Sequence, residues 1–254
     1  MSARRGRRRS DGSGLPFSRK ASLWINDALD RYVPPVMRDS KLFGNLARRM
    51  YRSLTIDIID LKDRAFYLSR ADFAAFYQGL HSRFDQGVSD LTPDSLRGVL
   101  EAVRGCSVLD VACGLGHLCE KLAPDHDVVG CDVAVSAGRR GRHPHVRWCD
   151  GNIEELPFRQ AAFDTVVSTH TLEHVQHLGV ALTELRRVAR QRVVVVVPHQ
   201  RPYRTTFNPH IHFFPYKFSL LAWTGTDRPH KLDLVGGDWL YVEDVVPEVS
   251  RPSP

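Results

Sequence analysis

The sequence predicts an α/β fold: a doubly wound, mostly parallel seven-stranded sheet that ends in an antiparallel hairpin, preceded by an N-terminal helical lid. Three observations carry this expectation. From residue 105 onward, short and nearly continuous apolar runs alternate with stretches of helical spacing, the pattern of strands covered on both faces by helices. The first of those runs passes into a glycine turn, "VLDVACGLGHL" at 108–118. The last two, in "KLDLVGGDWLYVEDV", flank Gly236-Gly237-Asp238, a hairpin signal.

The elements follow in chain order. Residues 1–20 hold seven Arg or Lys against Asp11 alone, whereas the rest of the chain balances 28 basic with 28 acidic groups. The net charge of +6 and the pI of 9.2 are therefore properties of the tail. With little to bury, that tail is expected to be disordered. No apolar segment follows its arginines, so it does not read as a secretory signal. Residues 21–104 form the helical extension. "SLWINDALDRYV" places Leu23, Ile25, Leu29 and Val33 at roughly helical spacing and is stopped by Pro34 and Pro35. "KLFGNLARRMYRSLTIDIIDL" reads as a longer helix with Leu42, Leu46 and Met50 on one face. "RADFAAFYQGLH" is a third helix, with Tyr77 a candidate to touch a ligand. "TPDSLRGVLEAV" is a fourth, with Thr92 as N-cap and Pro93 at the first helical position. Residues 105–246 carry the sheet and 247–254 a flexible C-terminus. The strands are "CSVLDVA", "HDVVGCDV", "VRWCD", "FDTVVSTH" and "RVVVVVP", then the hairpin. Helices start after Gly116 and fill "GVALTELRRVAR", with Leu182, Leu185 and Val188 inward.

Composition narrows the function. At 43% apolar and 25% charged residues the chain has the balance of a globular protein, and no run approaches the ~20 apolar residues of a membrane span. Cys106, Cys113, Cys119, Cys131 and Cys149 show no C-x-x-C spacing, so they read as reduced small hydrophobes of a cytoplasmic protein and not as metal ligands. A neutral body disfavours long polyanions such as nucleic acid. The basic N-terminal segment suits peripheral contact with an anionic membrane.

In an open parallel sheet, ligands bind at the carboxyl ends of the strands where the strand order reverses. Each strand here delivers polar residues at that end: Asp110 and the turn Cys113-Gly114-Leu115-Gly116, then Asp132, then Asp150-Gly151-Asn152, then Ser168-Thr169-His170. Gly114 and Gly116 let backbone approach a ligand closely. Asp132, sixteen residues past Gly116, suits the two hydroxyls of a ribose, and Asp150 suits an exocyclic amine, so the site is expected to take an adenosine. A dinucleotide does not fit as well. The third glycine of G-x-G-x-x-G is Cys119, and Asp110 opposes a pyrophosphate by about 4 kcal/mol at ~4 Å and an effective dielectric near 20. A ligand with positive charge and no phosphate removes the conflict. S-adenosylmethionine has a sulfonium and an ammonium.

"VLDVACGLGHL", "VVGCDVA", "CDGNIEELPF" and "FDTVVSTHTLEHV" resemble the successive motifs of the class I S-adenosylmethionine-dependent methyltransferases, in the type 11-like branch with "D-x-x-x-LPF" before the fourth strand. The resemblance covers about residues 105–200 and implies a Rossmann-like sheet. It implies that Asp110, Gly114 and Gly116, with Ala112, hold the methionine part of S-adenosyl-L-methionine. Asp132 and the adjacent Val133 meet the ribose. Asp150, Gly151, Asn152 and Ile153 meet the adenine, and Thr169 and His170 line the sulfonium end. Methyl transfer is then an in-line displacement whose difficult chemistry belongs to the cofactor. A histidine suits a base near neutral pH. The candidates are His170, His210 and His212, with His199 also in the rich segment "PHQRPYRTTFNPHIHFFPYKF", where Arg201 and Arg204 suit an anionic group. Glu173 and His174 read as residues that cap and orient the helix after the fourth strand. No metal is expected, since H-x-H is common and the family needs none. "PPVMRDSKLF" resembles a segment of bacterial methyltransferases that accompany surface-polysaccharide and lipid-linked sugar enzymes, so a small-molecule, sugar or lipid-linked acceptor is expected. A nicotinamide-dependent oxidoreductase and a non-catalytic S-adenosylmethionine-binding module are the alternatives.

Overall fold

Strands without polar interruption need cover on both faces, and five valines in a row show how it is supplied. In the computed structural model, which describes residues 28–29, 32–50, 61–83, 89–133, 135, 144–205 and 208–245, β1 (Ser107–Val111), β2 (Asp127–Asp132), β3 (Arg147–Asp150), β4 (Phe163–Thr169) and β5 (Ala189–Pro198) pair in parallel. The hairpin β6 (His230–Val235) and β7 (Asp238–Asp244) completes a seven-stranded sheet of order β3-β2-β1-β4-β5-β7-β6, with β7 antiparallel to β5 and β6. Val193, Val195 and Val197 of β5 enter the core on one face, and Val194 and Val196 the core on the other. The strand period of two sends successive side chains to opposite faces. Each such valine withdrawn from water contributes roughly 1.5–3 kcal/mol.

The first face is covered by α7 (Leu178–Val188), which buries Leu178, Ala181, Leu182, Leu185 and Val188, the inward stripe its spacing predicts. The second is covered by α5 (Pro93–Ala102), through Val99 and Ala102, and by α6 (His117–Leu122), through Leu118, Cys119 and Leu122. Thr92 does cap α5, its side chain accepting from the Ser95 N–H. Ser95 Oγ lies 2.6 Å from Asp238 Oδ2 and 3.0 Å from the Val235 carbonyl, so α5 is docked on the β6–β7 hairpin although its sequence falls in the N-terminal extension.

The rest of the extension is α1 (Pro35–Arg38), α2 (Lys41–Met50), α3 (Leu61–Arg64) and α4 (Arg70–Arg83), with a 3₁₀ turn at Ala65–Tyr67. The face of α2 that carries Leu42 and Leu46 is turned outward. Leu42 is 81% and Leu46 55% exposed, while Ala47 is buried. The helix packs instead through its small residues: a Cβ added to Gly44 would sit 3.4 Å from Thr205 Oγ1, and a leucine face could not come that close. The basic tail, nearly all of the first expected helix, residues 51–60 and the C-terminal segment 247–254 lie outside the described residues. Among the described residues no helix is long and apolar enough to cross a membrane.

Candidate active site

The order β3-β2-β1-β4 reverses beside β1, and the turn from β1 into α6 stands there. Three of its residues have left-handed backbone: Ala112 at φ 57°, Gly114 at 54° and Gly116 at 83°. For alanine this conformation costs about 1–2 kcal/mol. The two glycines serve different ends. A Cβ on Gly114 would meet nothing within 4 Å, so this residue leaves open ground above the turn. A Cβ on Gly116 would stand 2.3 Å from Trp148 Cη2, and one on Gly130 2.6 Å from Trp148 Cζ3. The missing side chain at Gly116 therefore makes room for a tryptophan. Trp148 went unnoticed in the sequence because nothing local links β3 to a turn more than thirty residues earlier.

Asp132, at the end of β2, is buried, and its Oδ2 accepts the Gly114 N–H at 2.8 Å. Asp110 is 1% exposed, and its Oδ2 accepts from Cys119 Sγ at 3.1 Å. Cys119 occupies the third-glycine position, so the departure from the dinucleotide pattern has a structural use. Burial pushes the Asp110 carboxyl up to about 7, with the Cys119 hydrogen bond opposing and the nearby Asp132 charge adding to the rise. Asp150, at the end of β3, accepts the Val135 N–H at 2.8 Å, and Gly151 donates to the Asp132 carbonyl at 2.9 Å. Asn152 Oδ1 accepts the Glu154 N–H at 2.9 Å, Ile153 is buried, and Val133 is 36% exposed. The turn, Asp132, Asp150 and Gly151 are thus joined at the ends of β1, β2 and β3. Thr169 and His170 end β4, where the His170 N–H donates to the Val196 carbonyl.

This arrangement was compared with known proteins. The model of the "Methyltransferase domain" family matches residues 109–197. This is a class I S-adenosylmethionine-dependent methyltransferase domain. The demethylmenaquinone methyltransferase of Beutenbergia cavernae is 32% identical over 159 residues, which cover 56% of this chain and 66% of that protein. The 2-phytyl-1,4-naphtoquinone methyltransferase of Trichormus variabilis is 29% identical over 118 residues, 40% of this chain and 52% of that one. The chain thus spans about half to two thirds of the length of these two relatives. The crystal structure of a SAM dependent methyltransferase from Aquifex aeolicus aligns with a TM-score of 0.50 and 17% identity over 60% of this chain and 90% of that one, a likeness of fold.

S-adenosylmethionine is the cofactor of the methyltransferase domain, and the residues present fit it. Gly114 is open ground beside the buried Asp132 carboxylate, which accepts its N–H. Buried Asp110 is close enough to Asp132 to feel its charge, a setting that suits a cation better than a pyrophosphate.

The three histidines expected as bases fare differently. His170 has left-handed backbone at φ 50° and lies between Glu173 Oε1, 3.5 Å from its Nδ1, and Asp238 Oδ2, 3.5 Å from its Nε2. Burial opposes its charge, but the two carboxylates outweigh it and raise the imidazole to about 10. A base must be unprotonated, and these two carboxylates favour the protonated ring. His212 Nε2 lies 2.9 Å from the Val175 carbonyl, which places its proton on that nitrogen and the lone pair on Nδ1. His210 pairs through Nδ1 with Gln200 Oε1 at 2.7 Å, and burial holds it well below its usual pKa, with the neighbouring His174, His170 and Lys62 adding to the fall. It is neutral, with its lone pair on Nε2. The structure brings His210 against His174, ring centroids 4.7 Å apart, and both against Glu173. His199 is exposed and pairs with the Pro215 carbonyl.

Proposed function

We propose that this protein transfers the methyl group of S-adenosylmethionine to a small-molecule acceptor that carries an anionic group. The observation that carries the cofactor half is the buried Asp132 carboxylate beside open backbone at Gly114, with buried Asp110 near enough to Asp132 to feel its charge. When bound, the cofactor supplies an electrophilic methyl on a sulfonium. Asp132 receives the ribose hydroxyls, Asp110 faces the methionine ammonium through the turn, and Asp150 with Asn152 and Ile153 borders the adenine. Thr169 and His170 end the strand nearest the sulfonium. His210 serves the acceptor end.

The acceptor half has two supports. The relatives named above are quinone methyltransferases, which act on small molecules. A cleft of about 240 Å³ is lined by Lys41, Arg48 and Arg204 together with Ser40, Gly44, Asn45 and Thr205. Three cations around one cleft suit a phosphate or carboxylate. A lipid-linked sugar phosphate and an acidic small metabolite share that chemistry. The helices α1 to α4 act as the lid over this acceptor end.

Calorimetry with S-adenosylmethionine tests the cofactor half. Asp132→Ala removes a buried acceptor, and affinity should fall about 10- to 100-fold, equivalent to 1–3 kcal/mol. Equal affinity in that variant overturns the ribose assignment. Incubation of cell-extract metabolites with protein and isotopically labelled methyl donor tests the acceptor half. A labelled anionic product supports it, and a labelled product without an anionic group overturns it.

A further inference from the structure

We infer that Glu173, His174 and His210 form a binding site for one divalent first-row transition-metal cation. Their potential ligand atoms all lie within 4.8 Å of one another. Atoms bound to one zinc ion at ~2.0–2.1 Å stand about 3.3 Å apart, so modest side-chain rotation closes the set. Two imidazoles and one carboxylate form a triad that leaves coordination positions open.

Four features mark this as a built site. The Glu173 side chain is wholly buried, and neither of its carboxylate oxygens takes a hydrogen bond. Its charged neighbour His170 stands 3.5 Å away and is shared with Asp238, so the Glu173 carboxylate is incompletely satisfied, which is costly, and a cation reduces that cost. His210 is oriented from behind by the Gln200 side-chain carbonyl at 2.7 Å, and the same carbonyl is held by Asn208 Nδ2 at 3.1 Å. His174 Nδ1 lies 3.2 Å from the Pro209 carbonyl and 3.4 Å from the Tyr77 hydroxyl, which itself donates to that carbonyl at 2.7 Å. In both rings Nδ1 faces a carbonyl and carries the proton, which leaves Nε2 as the lone pair, and His174 Nε2 stands 3.9 Å from Glu173 Oε1. Outer partners of this kind fix the tautomer of metal-binding histidines. Finally, the Ile211 and His212 N–H groups both donate to the Glu173 carbonyl, at 2.8 and 3.1 Å. This clip fastens the loop bearing His210 to the 3₁₀ turn Leu172–His174.

The charged or titratable groups around the cluster include His170, His212, Lys62 and Tyr77. His170 keeps Asp238 as its second carboxylate, so Glu173 can turn to a cation without stranding it. Resting on the methyl-transfer reading, the cation would hold and acidify an acceptor hydroxyl, whose proton passes to solvent. That would make a histidine base unnecessary.

Equilibrium dialysis of the metal-stripped full chain with Co²⁺, followed by visible absorption, tests the site. One Co²⁺ per chain with d–d bands is expected, displaced by Zn²⁺. Glu173→Gln, His174→Ala and His210→Ala should each weaken uptake at least tenfold, while His126→Gln, remote at the Gly105 carbonyl, should not. X-ray absorption on the zinc-loaded wild type needs no variant to fold, and should show two imidazoles with oxygen and no sulfur. Uptake far below one equivalent, sulfur ligation by the cysteines, or unchanged affinity in the three variants overturns the inference. Calorimetry with S-adenosylmethionine on the same metal-free samples reports separately on the cofactor. Its failure with Co²⁺ uptake retained would sink the methyl-transfer role and leave the cation site standing.

Discussion

Asp110 shows how a single residue ties stability to cofactor binding. Its carboxyl has an ordinary value near 3.8 and is raised to about 7 in the fold. The folded state therefore binds its proton more tightly than the unfolded chain does. The associated stability is fully present below about pH 4 and is lost as pH rises toward 7, on the order of 4 kcal/mol in all. Asp110→Asn keeps the shape and removes the charge. Without cofactor, that variant should be more stable than wild type in urea at pH 8, and the difference should shrink at pH 4.5. A difference that does not change with pH would mean that Asp110 does not titrate in this window. The same variant should bind S-adenosylmethionine more weakly, because the buried anion is what makes a cationic ligand welcome.

At the scale of elements, an ion pair braces α7 against β7. Glu243 of β7 is wholly buried and accepts from Arg186 Nε at 2.9 Å and Nη2 at 2.6 Å, with the Tyr241 hydroxyl donating at 2.6 Å. The Arg186 guanidinium also reaches the Thr224 carbonyl at the end of α8 (Lys217–Thr224). Arg186→Ala leaves a buried carboxylate without its main partner and should cost roughly 3–5 kcal/mol in chemical denaturation. Arg186→Met combined with Glu243→Leu should recover most of that loss, and failure to recover would show that the pair does more than neutralise itself. The strands and the hairpin were legible in the sequence because their apolar runs and glycines are local signals. The brace was not, because 57 residues separate its partners.

At the scale of the molecule, the N-terminal helices hold the segments that follow β4 and β5. The buried Arg38 stacks over the Tyr203 ring at 3.7 Å, Lys62 donates to the Tyr203 carbonyl at 2.8 Å, and Gln176 donates to the Ala65 and Leu68 carbonyls at 2.8 Å each. Arg38→Ala should raise hydrogen exchange about tenfold in residues 201–205 and leave protection of β1, β4 and β5 unchanged. Loss of protection in those strands as well would mean that extension and sheet open as one unit. By itself the sequence determined the sheet, its hairpin and the polar residues at the ends of four strands, because apolar period, glycine turns and strand-end carboxylates act over a few neighbouring residues. Only the tertiary structure decided that Gly116 makes room for Trp148, that Leu42 and Leu46 face outward, that His170 lies between Glu173 and Asp238, and that Glu173, His174 and His210 meet. Each of those outcomes depends on atoms that are distant in the chain or on burial that packing alone creates.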